Sequence, residues 1–347
     1  MARQAFILGG TGQIGRAVAR NLLDQGWGVA VAHRGRRPPP PELVEGGASI
    51  SILDREQPSE LAHALADGAD AVIDTVAFTQ LHADQLLEVQ GSVGAFVVIS
   101  SASVYRDTAG RTLDEAAQNG FPEMPDPISE TQSTVDPGPT TYSTRKVALE
   151  RALLDRAKVP LTVLRACAIH GIGSQHPREW WVVKRILDRR RVIPLAYGGS
   201  SRFHTCAADN IAALVRTVLE VSGTRVLNIA DPTAPSVAEI AALIARHLRY
   251  EGTLVNGSDG GNPPMIGGTP WSVPRPFVID TRAALDLGYI PATTYADAVP
   301  AMCDWLVETA RAVGDWREQF PGYARYGDPF DYAAEDRFFS NQQPPSG

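Results

Sequence analysis

A glycine-rich turn near the N-terminus constrains the fold of this chain more than any other feature. Gly9, Gly12 and Gly15 lie between a short apolar run, Ala5–Leu8, and an amphipathic stretch, Gln13–Gln25. Glycine allows a backbone to turn tightly and to approach a pyrophosphate closely, and the N-terminus of the following helix favours an anion. The pattern therefore predicts a strand, a dinucleotide-binding turn and a helix, in that order. A turn without a ligand is the alternative for a glycine triplet.

Further apolar runs alternate with helical stretches along the chain, which indicates a parallel sheet covered on both faces. The fold class is thus predicted as α/β, a doubly wound parallel sheet with a smaller C-terminal substrate lobe.

Residues 1–168, joined by 205–230, are predicted to form the dinucleotide-binding domain. Residues 169–204 and 231–347 are predicted to form the substrate-binding lobe and tail. Gly252–Pro276 is predicted as a loop. Strands are predicted at Gly28–His33, Ile50–Leu53, Ala71–Val76, Ala95–Ser100, Leu161–Arg165 and Arg225–Ile229, and helices at Leu61–Ala66, Leu81–Val89, Tyr142–Ala157, Glu179–Arg191, Ala208–Val221, Ser236–Leu248 and Tyr295–Ala312.

Composition bounds the functional classes. A chain of 347 residues suits one large domain with an appended lobe. The net charge of -7 argues against nucleic acid as a partner, because phosphate binding needs a basic surface. Three widely spaced cysteines predict free thiols and no metal site. We see no signal peptide and no apolar run of membrane-spanning length, so a cytoplasmic protein without membrane contact is expected.

The end of the second predicted strand bears on the choice of cofactor. His33 and Arg34 stand there, Arg36 and Arg37 follow, and no acid is present. An acid at this position binds the ribose 2′-hydroxyl of NAD, whereas an arginine accommodates the 2′-phosphate of NADP. We therefore predict NADP(H), with NAD(H) and a merely solvated basic loop as alternatives. Further cofactor contacts are predicted at Thr11, Gln13, Ile14, Asp54, Val76 and Ala77. Asp54 either contacts the adenine edge or caps a loop.

A tyrosine and a lysine one helical turn apart predict proton-transfer chemistry. Tyr142 and Lys146 share a helical face, and a lysine ammonium there favours the phenolate and lowers the tyrosine pKa from about 10. Ser101 directly follows the fifth predicted strand, Ala95–Ser100, at the edge where open α/β sheets bind ligands. Its hydroxyl can bind a substrate oxygen as charge develops there. A surface Tyr/Lys pair is the alternative.

With these motifs, the chain resembles the extended short-chain dehydrogenase/reductase superfamily, in its NAD-dependent epimerase/dehydratase branch. The resemblance implies Ser101 as the catalytic serine, Tyr142 as the acid/base and Lys146 as its partner, with Tyr142 and Lys146 also contacting the cofactor. It implies hydride transfer at a carbinol/carbonyl carbon, with a nucleotide sugar or related polyol as the substrate. Arg202, followed by Asp209, matches the spacing of a family arginine that binds a substrate diphosphate. The predicted substrate contacts are Ser103, His170, Arg202 and His204.

Departures from the family pattern keep two alternatives open. Ala102 and Ser103 stand where 4,6-dehydratases carry an Asp-Glu pair, which argues against sugar 4,6-dehydration. Arg275 is only a loose counterpart of a second diphosphate arginine. In these respects the chain is similar to an atypical branch that includes chloroplast stem-loop-binding proteins, some of which bind RNA. The alternatives are an NADPH-dependent carbonyl reductase of a smaller metabolite, and a non-catalytic or RNA-binding relative that kept the dinucleotide fold.

Three features of the C-terminal half have structural interpretations. Trp180 and Trp181 predict core packing, with a substrate-stacking wall as the alternative. The basic run Lys184, Arg185 and Arg189–Arg191 predicts a solvated helix face or attraction of a phosphorylated substrate. An aromatic tail predicts packing on the body or on a second subunit, which leaves a homodimer open. Its aromatic residues are Trp316, Phe320, Tyr323, Tyr326, Phe330 and Tyr332.

Overall fold

The computed structural model describes residues 2–36, 38–57, 59–258, 265–312, 314–325 and 327–342. Its contacts divide the chain into two compact units. Unit 1 comprises Met1–Ile169, Cys206–Pro232 and Ile279–Thr293. Unit 2 comprises His170–Thr205, Thr233–Val278 and Thr294–Gly347. The roles of the units in binding cofactor and substrate remain predictions.

Residues 279–293 lie in unit 1 and not in the lobe, to which they were predicted to belong. Hydrogen bonds explain this position. The Asp280 N–H donates to the Ile128 carbonyl at 2.8 Å, and the N–H groups of Ala292 and Thr293 donate to the Asn210 side-chain oxygen at 2.8 and 3.0 Å. Residues 279–293 therefore belong to the unit that contains the sheet. Local sequence patterns do not predict this, because the hydrogen bonds involved join residues far apart in the chain.

The predicted strands and helices are present with bounds within about two residues of the prediction, except that the helix predicted over Glu179–Arg191 ends at Leu187. The strands of the described residues are β1 (Gln4–Leu8), β2 (Gly28–His33), β3 (Ser49–Ile52), β4 (Ala71–Asp74), β5 (Phe96–Ser101), β6 (Leu161–Ala166), β7 (Ala168–His170), β8 (Val192–Leu195), β9 (Thr205–Ala207), β10 (Arg225–Ile229) and β11 (Thr253–Asn256). The helices are α1 (Gln13–Asp24), α2 (Pro41–Glu45), α3 (Glu60–Ala64), α4 (Gln80–Val89), α5 (Ala116–Asn119), α6 (Tyr142–Arg156), α7 (Trp180–Leu187), α8 (Ala208–Glu220), α9 (Val237–His247), α10 (Arg282–Asp286), α11 (Tyr295–Ala312), α12 (Trp316–Gln319), α13 (Pro321–Ala324) and α14 (Tyr332–Gln342).

Unit 1 is built on a seven-stranded sheet in the order β10-β6-β5-β4-β1-β2-β3. Every adjacent pair is parallel. Successive side chains of a strand point to opposite faces, so Ile7 of β1 enters one apolar core and Phe6 and Leu8 enter the other. Residues of α1 and α8 fill the first core, and residues of α4 and α6 fill the second. The predicted doubly wound parallel sheet is thereby confirmed.

Unit 2 contains a short parallel pair, β8 with β11, and the packed helices α7, α9 and α11. Because β11 lies inside Gly252–Pro276, the prediction that this whole stretch is loop was wrong; residues 259–264 of it lie outside the described residues. Strand pairing with β8 supplies the hydrogen bonds that the glycine-rich sequence alone does not suggest. A capping box begins α9: the Ser236 side chain accepts the Glu239 N–H, and the Glu239 carboxylate accepts the Ser236 N–H.

The basic run is not a solvated helix face at Arg185, which is 1 % exposed. Its guanidinium donates to Glu335 of α14 at 2.6 Å and to the Pro329 carbonyl at 2.9 Å, and lies 3.5 Å from the centre of the Trp181 ring. A buried carboxylate from the tail thus supplies the countercharge that burial of an arginine needs. Described aromatic residues of the tail pack on α7 of their own unit: the Phe320 and Trp180 ring centres are 5.2 Å apart, and the Phe330 ring centre lies 5.1 Å from Lys184 Nζ. Tyr326 and residues 343–347 lie outside the described residues.

None of the helices in the described part of the chain is both long and apolar enough to cross a membrane.

Candidate active site

The glycine turn after β1 forms a cradle that excludes side chains. Gly9 has a φ of +75°, and a Cβ on it would lie 2.5 Å from Thr75 Oγ1. A Cβ on Gly15 would collide with the Gly9 carbonyl oxygen. Gly12 is the N-cap of α1, and its N–H donates to that same carbonyl at 2.9 Å. The cradle therefore presents backbone and a helix N-terminus, which fits the close approach of a dinucleotide pyrophosphate.

The remaining predicted cofactor contacts follow the neighbouring strands β2, β3 and β4. Arg34 is exposed just beyond β2, whereas Arg37 lies outside the described residues. Asp54 follows β3, and its carboxylate accepts the Glu56 N–H at 3.2 Å, which is the loop cap named as an alternative. Val76 and Ala77 follow β4. Because β4, β1, β2 and β3 are adjacent parallel strands, these residues line one edge of the sheet.

Lys146 is a buried cation rather than part of a surface pair. It is 2 % exposed, and its Nζ donates to the carbonyl oxygens of Ala77 at 2.5 Å and Ile99 at 2.8 Å. Burial lowers the pKa of Lys146 to about 8, and the nearby carboxylates of Asp74 and Glu150 act in the opposite direction. The ammonium is thus fixed between the ends of β4 and β5, with its charge kept out of water.

Tyr142 is the first residue of α6 and lies one helical turn before Lys146. The Lys146 Nζ lies 5.7 Å from the centre of the Tyr142 ring, and Tyr142 is 38 % exposed. Thr141 and Thr144 form a capping box that fixes the first turn of the helix. The chain therefore holds a phenol that a ligand can reach beside an ammonium that favours its ionised form.

Three serines form a hydrogen-bonded group at the end of β5. Ser101 Oγ donates to Ser103 Oγ at 3.0 Å and accepts the Ser103 N–H at 3.1 Å. Ser143 Oγ, from α6, donates to the carbonyl oxygen of Ser103 at 2.9 Å. These bonds bring the predicted catalytic serine and the predicted substrate contact Ser103 to the same helix that carries Tyr142.

Tyr105, the other tyrosine of this region, is unsuited to acid/base work. It is fully buried, its hydroxyl donates to Asn228 Oδ1 at 2.6 Å, and it accepts from Arg165 Nη1 at 3.3 Å. Burial raises the pKa of Tyr105 to about 12. Its phenol therefore stays protonated across the range in which enzymes work.

Sequence reasoning missed Glu150, which anchors α6. Its carboxylate accepts from Arg165 Nη2 of β6 at 2.6 Å, and the side chains are 2 % and 8 % exposed. Ser100 Oγ of β5 donates to the same carboxylate. The signal was available, because Glu150 continues the four-residue spacing of Tyr142 and Lys146 and so lies on their face of the helix.

The other predicted substrate contacts lie in unit 2. Arg202 Nε donates to the Ala234 carbonyl at 3.4 Å. The His204 N–H donates to the Phe277 carbonyl at 3.0 Å, and the His204 side chain is buried. The His170 ring meets the Tyr295 ring edge-on, with centres 4.9 Å apart. Arg202 and His204 therefore share one extended segment, and their roles toward a substrate remain predictions.

Burial decides between the two interpretations of the tryptophan pair in unit 2. Trp180 and Trp181 are 3 % and 1 % exposed, so both rings pack in the core rather than form an open stacking wall. Within the described residues, no group of three histidine, cysteine or carboxylate side chains is arranged to hold a metal ion.

The model of the NAD dependent epimerase/dehydratase family matches residues 5–230. The chain therefore belongs to this family, as the glycine turn, the serine at the end of β5 and the Tyr/Lys helix predicted. The expectation of a family of NAD-dependent enzymes is thereby confirmed. No match was found among proteins of curated function.

Solved structures with the same fold resemble the chain over most of its length. The UDP-glucose 4-epimerase of Thermotoga maritima, solved with UDP-glucose, has 16% identity and a TM-score of 0.67. The UDP-glucose 4-epimerase of Thermus thermophilus, solved with NAD, has 16% identity and a TM-score of 0.66. MoeE5, solved with UDP-glucose and NAD, has 20% identity and a TM-score of 0.63. Each alignment covers 88% of this chain and 99% of the other.

Proposed function

We propose that this protein is a nicotinamide-dependent oxidoreductase or epimerase that transfers a hydride at a carbinol/carbonyl carbon of a nucleotide sugar. The observation that carries this proposal is the buried ammonium of Lys146 beside the accessible phenol of Tyr142. A buried positive charge is costly, and a pure binding module has no need to keep one under a tyrosine. This pair therefore favours a catalytic protein over a non-catalytic or RNA-binding relative.

In this proposal, the cradle of Gly9, Gly12 and Gly15 would hold the cofactor pyrophosphate, and Lys146 would hold the nicotinamide ribose. The cofactor supplies a hydride acceptor and donor when it is bound. Tyr142 takes the proton from the substrate hydroxyl as the carbinol is oxidised, and returns it on reduction. Lys146 stabilises the phenolate by its charge, and the Ser101 hydroxyl turns from Ser103 Oγ to donate its hydrogen bond to the substrate oxygen. Reduction of the ketone from its opposite face would yield an epimer.

The nucleotide-sugar substrate is supported by the neighbours solved with UDP-glucose and by Arg202. A guanidinium forms charge-assisted, bidentate hydrogen bonds with a diphosphate. The experiment that tests the proposed function is incubation with NAD(H) or NADP(H) and a panel of UDP- and TDP-sugars, followed by chromatographic analysis for an epimer or a ketone. No product from any of them would favour a carbonyl reductase of a smaller metabolite.

Replacement of Arg202 by alanine is expected to weaken binding of UDP or TDP by roughly ten- to a hundredfold, because a hydrogen bond to a charged group contributes about 1.5–3 kcal/mol. Calorimetric titration measures this, and NADP(H) affinity should not change. Arg246→Ala, which removes an arginine of α9, is the matched control. If Arg202→Ala instead only lowers the melting temperature, Arg202 is structural. No binding of nucleoside diphosphate by the wild type at millimolar concentration would remove the nucleotide-sugar assignment.

We further propose NADP(H) as the preferred form of the cofactor, although the family description and the Thermus thermophilus neighbour name NAD. The support is Arg34, exposed beyond β2 with no acid beside it. Arg34→Asp should reverse the preference, because the carboxylate repels the 2′-phosphate and accepts from a 2′-hydroxyl. Fluorescence titration with NADPH and NADH measures both affinities. Arg36→Asp makes the same charge change two residues on and should keep the wild-type order. Equal wild-type affinities would contradict the proposal.

A further inference from the structure

A buried ion pair fixes the residues that follow β4. Arg55 Nη1 and Asp74 Oδ2 are 2.5 Å apart, with side chains that are 7 % and 0 % exposed. Asp74 Oδ1 accepts the Val76 N–H at 2.9 Å, and Arg55 Nη2 donates to the His82 carbonyl at 3.3 Å. The Arg55–Asp74 ion pair therefore fixes the first part of the segment between β4 and α4, because Asp74 accepts the Val76 N–H.

The second part of that segment is held by His82 of α4. His82 Nδ1 accepts the Phe78 N–H at 2.8 Å, and Nε2 bonds Glu56 Oε1 at 2.9 Å. A backbone N–H only donates, so Nδ1 carries no proton and the proton of the ring is on Nε2. Burial lowers the pKa of His82, and the Arg55 charge acts in the same direction. The neutral ring that this bond requires is thus the favoured form.

The segment held in this way covers Lys146. The Ala77 carbonyl accepts from Lys146 Nζ, and the Phe78 ring centre lies 4.7 Å from the same atom. Phe78 is 42 % exposed and Lys146 is 2 % exposed, so a partly exposed ring packs against a buried ammonium. The Phe78 ring also lies 6.4 Å from the Tyr142 ring. The hydrogen bond that holds the Phe78 N–H therefore fixes two groups next to Lys146, the Ala77 carbonyl and the Phe78 ring.

We propose that His82 is a positioning residue for Tyr142 and Lys146: by accepting the Phe78 N–H at Nδ1, it holds the Ala77 carbonyl and the Phe78 ring against the lysine ammonium. The catalytic importance of this position rests on the proposed function. The position itself is a property of the protein without any ligand and is measured without turnover. His82 acts on the site only through the segment that it holds.

Two substitutions of similar polarity at His82 distinguish the role of Nδ1 from that of Nε2. Asparagine places an amide oxygen where Nδ1 lies and can still accept the Phe78 N–H, whereas glutamine places its polar group nearer the position of Nε2. His82→Asn should therefore keep the wild-type kcat. His82→Gln should lower kcat by roughly ten- to a hundredfold, because a displacement of about 1 Å at a reacting group has an effect of that size.

Lysine NMR provides a readout that is independent of activity. The sequence contains three lysines, Lys146, Lys158 and Lys184, so 13C-labelled lysine gives few signals, and Lys158→Arg and Lys184→Arg assign them. In the wild type, Lys146 should titrate at a pKa of about 8. Since burial is the main cause of that low pKa, loosening the cover should move the Lys146 pKa in His82→Gln upward by roughly one unit or more. His82→Asn should leave it near the wild-type value.

Each outcome decides the proposal separately from the proposed function. If His82→Asn and His82→Gln give the same Lys146 titration, His82 does not position the lysine and the proposal is overturned. If they differ as expected, the proposal stands for the position of Lys146 even where no sugar nucleotide is turned over. Melting curves of both variants identify a change that is merely loss of stability, because such a loss would not sort the two variants by which nitrogen they replace.

Discussion

Tyr142→Phe is expected to lower kcat by roughly a hundred- to ten-thousandfold, the range that a general acid/base group contributes. The substitution removes only the phenolic oxygen and leaves the ring that lies near Phe78 and Lys146. Cofactor affinity and the melting temperature should therefore stay close to those of the wild type. Turnover, isothermal titration with NADPH and a thermal melt measure the three quantities.

Tyr105→Phe is the matched control, because it removes the same atom from a buried tyrosine of the same region. Here Asn228 Oδ1 and an Arg165 N–H lose their partner inside the protein. We expect destabilisation of about 1–3 kcal/mol, the usual cost of an unsatisfied buried polar group, and near-normal turnover at temperatures well below the melt. Near-normal turnover in Tyr142→Phe together with a large loss in Tyr105→Phe would show that the catalytic tyrosine was misassigned.

The local parts of the site could be predicted from the sequence because each depends on short-range rules. The glycine turn is recognisable in the sequence because only glycine fits its backbone geometry. Gly9 has a positive φ, and a Cβ on Gly15 would collide with the Gly9 carbonyl oxygen. The four-residue spacing of Tyr142 and Lys146 has meaning only on a helix, and α6 begins at Tyr142. The layers of the fold followed from the alternation of apolar runs and helices, since that alternation is typical of a parallel sheet covered on both faces.

The parts that could not be predicted depend on contacts between distant residues. Arg55 and His82 meet around the end of β4 only when the sheet is assembled, and nothing in their neighbourhood in sequence marks them. Arg185 looks like one of several solvated cations, yet Glu335, 150 residues later, makes its burial possible. Local charge patterns predict exposure, and a distant carboxylate reverses that prediction.

Glu150→Gln is expected to destabilise the protein by about 3–5 kcal/mol, because it leaves the buried Arg165 cation without its countercharge. The pair is 2 % and 8 % exposed, so water cannot replace the lost carboxylate. Urea denaturation monitored by fluorescence measures the change. Glu220→Gln is the control, since its partner Arg3 and Glu220 are 47% and 53% exposed, and exposed pairs contribute less than about 1 kcal/mol.

The double substitution Glu150→Leu/Arg165→Met distinguishes charge from shape. Replacing both members of a buried pair with apolar side chains is often neutral or stabilising, so most of the stability lost in Glu150→Gln should return. Arg165 also donates to the Tyr105 hydroxyl and to the Glu130 carbonyl, so the recovery should be incomplete by about 1–3 kcal/mol for these lost partners. Glu150 lies on the same face of α6 as Lys146. If the double variant is stable and keeps its turnover, the Glu150–Arg165 pair only holds α6 in place. If the double variant is stable but loses turnover, the Glu150 charge also acts on Lys146, because the Glu150 carboxylate helps to keep the Lys146 pKa from falling further.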